Sequence, residues 1–154
     1  MARGRAPGFD ATREQILVQA ARLFAMQGYP GTSMNQVAEA CAVSKPTLYH
    51  YVRDKHELLM QICESHVTHL GTLVDEVLAQ GLAPEPQLRA LIQRFVQAYG
   101  ESQNEHRVLT EDVKFLNDED RQRLLEIERR VVGAFAYAVV RCARSCRPCA
   151  CTSP

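Results

Sequence analysis

Residues 33–51, SMNQVAEACAVSKPTLYHY, hold two helix starts within twelve positions, and this spacing constrains the chain more than any other feature. Ser33 with Gln36 three residues on has the spacing of a capping box. Val37, Ala38 and Cys41 give the helix that follows one apolar face. Ala42-Val43-Ser44 reads as a tight turn, with Val43 available to plug the space between two helices. Ser44 caps the second helix, and Pro46 falls in its first turn, where a missing N–H costs nothing. Leu48 is the inward anchor. Lys45, Thr47, Tyr49 and His50 are left to face outward. Two short helices at a tight turn, the second carrying donors, a methyl and an aromatic edge, match a helix-turn-helix whose second helix enters a DNA major groove.

Gly28 to Leu59, GYPGTSMNQVAEACAVSKPTLYHYVRDKHELL, together with the preceding ILVQAARLFAMQG, resembles the DNA-binding domain of TetR-family transcriptional regulators. Two positions depart from that pattern. Cys41 stands where a small residue is usual, and Val52 where an aromatic is usual. The resemblance implies a ligand-responsive repressor that binds a palindromic operator as a homodimer and leaves it when a small molecule enters the body. The effector itself is unknown. The residues expected at DNA are Thr32, Ser33, Ser44, Lys45, Thr47, Tyr49, His50 and Lys55. For His50 an ordinary surface role stays open. No cofactor and no metal is expected, and nothing argues for an enzyme: no glycine-rich phosphate loop follows a strand, and no serine sits in a nucleophile elbow.

The formal net charge is zero, yet it is unevenly spread. Residues 1–55 carry seven Lys/Arg against four Asp/Glu, a net of +3; residues 56–154 carry eleven against fourteen, a net of −3. The basic end is the one with the helix-turn-helix, the sense expected of a head that meets DNA. Arg3 and Arg5 lie on a Gly/Pro-containing arm with two open readings, a phosphate or minor-groove contact and a solvated tail. No apolar run reaches the roughly 18–20 residues that span a bilayer, so no membrane contact is expected, and the N-terminus has no secretory pattern; a cytoplasmic protein is expected.

Apolar spacing predicts an all-α chain: a three-helix head, a long connecting helix and a helical body. Asp10 or Thr12 opens the first helix, with Ile16, Leu17, Ala20, Leu23 and Phe24 inward, and Gly28 stops it. Asp54 and Glu57 start a fourth helix whose stripe runs from Leu58 through His66 to Leu78, about 40 Å long. After a break at residues 82–86, Leu88, Leu91, Ile92, Phe95, Val96 and Tyr99 are expected inward on the next helix. A short helix is expected over 106–116. A last helix opens at the acidic residues 117–120, with Leu124, Leu125, Ile127, Val131, Val132, Phe135, Val139 and Val140 apolar. Phe95, Tyr99, Phe115 and Phe135 are the candidate pocket-lining residues, with core packing as the alternative for each. The expected division is a DNA-binding head over 1–55, a ligand-binding and dimerisation body over 56–140, and a disordered tail over 141–154.

Cysteines crowd that tail: Cys142, Cys146, Cys149 and Cys151 stand among Arg and Pro. A metal cluster, a redox thiol set and the product of a reading-frame change are the three readings. The last is favoured, because structural zinc takes cysteine pairs from two separate elements. A chain ending here lacks the two further helices usual in the family, so weakened dimerisation and an incomplete body are expected. The competing functional reading is an interaction or metal/redox-sensing protein that binds DNA weakly and acts through body or tail. Cys63, His66 and His69 stand three apart on one helix, where i, i+3, i+6 spacing drifts around the axis and favours packing over a metal.

Overall fold

The structure, a computed structural model, describes residues 8–145. These form seven α-helices and one 3-10 turn, with no strand among the described residues: α1 (Phe9–Gln27), α2 (Met34–Ala40), α3 (Lys45–Tyr51), α4 (Lys55–Ala79), α5 (Pro84–Glu101), α6 (Gln103–Glu111), the 3-10 turn (Val113–Phe115) and α7 (Asp118–Ser145). They fall into two compact units, each made of two separate stretches of chain.

The first unit takes residues up to 66 and then 102–124. α1 opens at Phe9, just before the residues expected to start it, with Thr12 Oγ1 donating to the Gly8 carbonyl at 3.0 Å. Ile16, Leu17, Ala20, Ala21, Phe24 and Ala25 are buried along one face of α1. Leu48 of α3, Val37 and Ala38 of α2 and Leu58, Leu59 and Ile62 of α4 join this floor. α6 packs on α1 and adds Val108 and Leu109. The helix-turn-helix therefore rests on a second, distant stretch of chain, which a boundary at residue 55 leaves out. The two departures from the family pattern are both core residues here: Cys41 is 4% exposed and Val52 is 2% exposed. Cys41 and Cys63 are buried and take no disulfide. Burial pushes the Cys41 thiol up from its ordinary value.

The second unit takes residues 67–101 and those from 125 on. Its core is Leu70, Leu73, Val74 and Val77 of α4, Leu91 and Ala98 of α5, and Val131 and Ala138 of α7. Phe95 and Phe135 meet edge to face within it, centroids 4.6 Å apart. Several apolar positions point out, among them three of those expected inward on α5. Ile92 (49% exposed), Val96 (68%) and Tyr99 on α5 are exposed, as are Leu125, Val132, Val139 and Val140 on α7 and Leu78 on α4. The inward places go to small or polar residues, Ala98, Ala138 and Gln87, that a search for large apolar side chains passes over.

The remaining boundaries differ by local chemistry. α5 begins at Pro84, because proline fits a first turn that needs no donor there. The helix expected over 106–116 opens earlier, at Gln103, and closes with the 3-10 turn. Asn117 caps α7, its Oδ1 accepting from the Asp120 N–H at 2.7 Å. α7 runs on to Ser145, so residues 141–145 of the expected tail are helical. Cys146, Cys149 and Cys151, and with them the choice among the three tail readings, lie outside the described residues, as do Arg3 and Arg5.

Candidate nucleic-acid interface

The reader helix is set by its two ends and one anchor. Ser44 Oγ accepts from the Thr47 N–H at 3.1 Å and sits 2.7 Å from Thr47 Oγ1. Leu48 is fully buried, which pins the opposite face outward. Lys45, Thr47, Tyr49 and His50 are exposed there, Tyr49 at 42%. Tyr51 is held back, stacked on Phe9 with centroids 4.6 Å apart. Ala42 takes the turn with φ of 53°, a left-handed conformation unusual for a residue with a Cβ.

α2 starts with the expected box in full: the Gln36 N–H donates to Ser33 Oγ at 3.2 Å, and the Ser33 N–H donates to Gln36 Oε1 at 2.8 Å. Gln27, at the end of α1, ties this box to the preceding turn, donating to Gln36 Oε1 and to Thr32 Oγ1. Within that turn, a Cβ on Gly31 would lie 2.6 Å from the Gln27 carbonyl oxygen, so no other residue fits without moving backbone.

Two expected contact residues have other work. Thr32 is 2% exposed, and its hydroxyl donates to the Gly28 carbonyl at 2.9 Å. It is a turn-closing residue, buried because the turn folds over it. Lys55 turns inward: Nζ donates to the Tyr29 carbonyl at 2.9 Å and to the Thr32 carbonyl at 3.0 Å, and lies 4.5 Å from the Tyr29 ring centroid. These two carbonyls at the turn have no helix partner, and the ammonium satisfies both. The Tyr29 ring also stacks on Phe115, at 5.2 Å. Desolvation, then Asp54 and Asp112, push the Tyr29 hydroxyl above its ordinary value. Sequence spacing singles out Lys55 as a cation at a helix start but carries no sign of the carbonyl pair it meets. Gln27 and Tyr29, which hold the turn, gave no signal beyond their place in it.

Beside the start of α4 lies a polar cleft of about 290 Å³, lined by Arg13, Arg53, His56, Glu57 and Asp120 among others. The Arg53 N–H donates to Glu57 Oε2 at 2.6 Å, and this bond, more than any other contact, lowers the Glu57 carboxyl from its ordinary value. His56 Nε2 lies 3.0 Å from Asp120 Oδ2. Burial raises the Asp112 carboxyl, against the pull of a bond from the Tyr29 N–H.

The pocket candidates do not share one unit. Phe95 and Phe135 pair in the second, Tyr99 is 39% exposed there, and Phe115 belongs to the first, stacked on Tyr29. Cys63 and His66 are buried while His69 is exposed, and among the described residues no three His, Cys, Asp or Glu side chains are placed to hold a metal.

Residues 16–62 match the family model described as bacterial regulatory proteins, tetR family, and residues 81–146 match the tetracyclin repressor-like C-terminal domain. Together they span well over half of the chain. The chain belongs to the TetR family. Its solved neighbours include a TetR-family transcriptional regulator from Bordetella parapertussis, with TM-score 0.82 and 28% identity over 90% of this chain and 72% of that one. Another is AibR, solved with isovaleryl coenzyme A and operator DNA, with TM-score 0.75 and 25% identity over 87% and 73%. Among curated relatives, the transcriptional activator FasR of Mycolicibacterium smegmatis is 33% identical over 56% of this chain and 39% of its own length. The transcriptional repressor KstR2 of Rhodococcus jostii is 28% identical over 71% and 53%. The TetR-family chain thus spans about half or less of those two regulators' length. No helix among the described residues is long and apolar enough to cross a membrane.

Proposed function

We propose that this chain is a cytoplasmic DNA-binding transcriptional regulator, a repressor that recognises a palindromic operator as a homodimer. Lys45, Thr47, Tyr49 and His50 present the reading face, Ser33 and Ser44 set the two helix starts at the phosphates, and Thr32 and Lys55 hold the frame. The observation that carries this is α3 itself: a seven-residue helix capped at Ser44 and anchored by one buried leucine, with its polar and aromatic side chains outward. A helix with so little apolar contact of its own is a poor core element and a good groove insert. A small-molecule effector is the proposed release signal. AibR, with its coenzyme A ester and operator DNA, supports that by likeness. The Phe95–Phe135 pair marks the wall of the second unit where such a ligand would be sought.

The test is fluorescence anisotropy with a duplex from the chain's own upstream region, over a salt series. Lys45→Ala and Tyr49→Ala are each expected to weaken specific binding by roughly 1–3 kcal/mol. Unchanged affinity in both variants rejects the reading.

A further inference from the structure

Of the four side chains on the reading face, Thr47 has its polar group engaged within α3 itself. Its Oγ1 lies 2.7 Å from Ser44 Oγ, and the same Ser44 oxygen accepts from the Thr47 N–H at 3.1 Å. Whichever hydroxyl donates, the Thr47 oxygen is turned back along the helix towards the cap. Thr47 is exposed all the same. With the oxygen of its branched β-carbon facing the cap, the group left to meet a base edge is the γ-methyl. Its neighbourhood is alike in character. Pro46, the preceding residue, is exposed and presents only hydrocarbon, with no N–H to give. Lys45, Tyr49 and His50 carry the polar groups of the face. Leu48, at 0% exposure, anchors the helix, so turning Thr47 inward would unseat it.

We infer that Thr47 determines specificity through this methyl: it meets the C5-methyl of a thymine in the major groove and separates T from C at one position of each half-site. The thymine methyl is the apolar group among the donors and acceptors of the major groove. A methyl that neither gives nor takes a hydrogen bond gains from that group. It gains nothing from cytosine, which carries hydrogen in its place. The hydroxyl keeps a separate task, setting the start of α3 with Ser44. One side chain thus serves the helix with one atom and the base with another. This rests on the DNA reading of the proposed function and gives it a base.

The test is fluorescence anisotropy of the full chain with the upstream duplex. Its protected stretch is mapped by footprinting, and each thymine there is replaced in turn by deoxyuridine, which lacks only the C5-methyl. Helix content is checked by circular dichroism. Wild type is expected to lose about fourfold in affinity at one thymine of each half-site, the worth of one buried methyl. Thr47→Ser keeps the hydroxyl and drops the methyl from both half-sites. It is expected to bind the unmodified duplex about fifteenfold more weakly, and to lose nothing further from uracil at that thymine. Thr47→Val keeps a methyl and drops the hydroxyl, and is expected to bind severalfold more tightly than Thr47→Ser; a base contact through the hydroxyl gives the reverse order. Thr47→Val binding no better than Thr47→Ser overturns the inference. So does the absence of any thymine whose uracil cost disappears in Thr47→Ser. Lys45→Ala separates this failure from failure of the DNA reading. Weakened binding there, with no thymine coupled to Thr47, leaves the reading standing and overturns the inference alone. Unchanged binding in both Lys45→Ala and Tyr49→Ala overturns the two together.

Discussion

At the scale of single residues, the split between contact and frame is the part most open to measurement. Lys55 and Lys45 are both cations at helix starts, but only Lys45 is outward. Lys45→Ala is expected to reduce the slope of log affinity against log salt by about 1, as loss of one phosphate contact does. Lys55→Met is expected to leave that slope unchanged and to lower the folding free energy by roughly 1–3 kcal/mol, because the part-buried Thr32 carbonyl loses the ammonium and the Tyr29 carbonyl keeps only the Thr32 N–H at 3.4 Å; urea unfolding measures the second quantity. Asp112 offers a test of opposite sign from the usual carboxylate. Its folded value is raised by burial, so its contribution is fully present below the unfolded value near 3.8 and is lost as pH rises through the raised one. Asp112→Asn keeps an acceptor for the Tyr29 N–H and removes the buried charge. It is expected to be more stable than wild type at neutral pH, with the advantage vanishing below the unfolded carboxyl's value. Glu57 behaves the other way: its lowered carboxyl stabilises above the unfolded value and stops doing so as pH falls through the folded one.

Among the elements, the short helices depend on their caps more than the long ones do. Seven residues cannot pay the cost of helix nucleation by themselves. Ser33→Ala, which opens the Ser33–Gln36 box, is expected to cost about 0.5–2 kcal/mol in thermal or urea unfolding. These helices were legible in the sequence because capping is local: Ser33, Gln36, Ser44 and Pro46 act on neighbours within three positions. α5 and α7 were legible as helices, but not in the choice of face. Ile92 and Val96 lie on the same side as Tyr99, so periodicity alone shows a broad apolar arc. Which part of that arc turns inward is decided by packing on Leu70, Leu73, Val74 and Val77 of α4, with the exposed Arg94–Glu76 and Arg130–Asp75 pairs only at the edge of that contact. The inward bonds of Lys55 were not legible for a similar reason. Its partners are carbonyls 26 and 23 residues back, and no local spacing announces them.

For the whole molecule, the interleaving of the units matters more than their number. The first unit is completed by residues 102–124, which supply Val108, Leu109, Leu116 and Leu124 to buried positions. A fragment of residues 1–66 carries the whole helix-turn-helix and loses those four. At about 1.5–3 kcal/mol per fully buried aliphatic side chain, the loss is comparable with the full stability of a domain. The fragment is expected to show reduced helix content and no cooperative thermal transition, where the full chain shows one. The net +3 of residues 1–55 marks the DNA end correctly, yet charge counting along the chain has no access to this return of distant sequence.

The two buried thiols turn the head into its own clock. Cys41 and Cys63 lie in the first unit at 4% and 0% exposure, and Cys41 is held in the unreactive protonated form. A maleimide added to the native protein can reach either one only when that unit opens. Their labelling rate, read by mass spectrometry, therefore times the opening of the DNA-binding half, and a bound operator should slow the tick at both positions together.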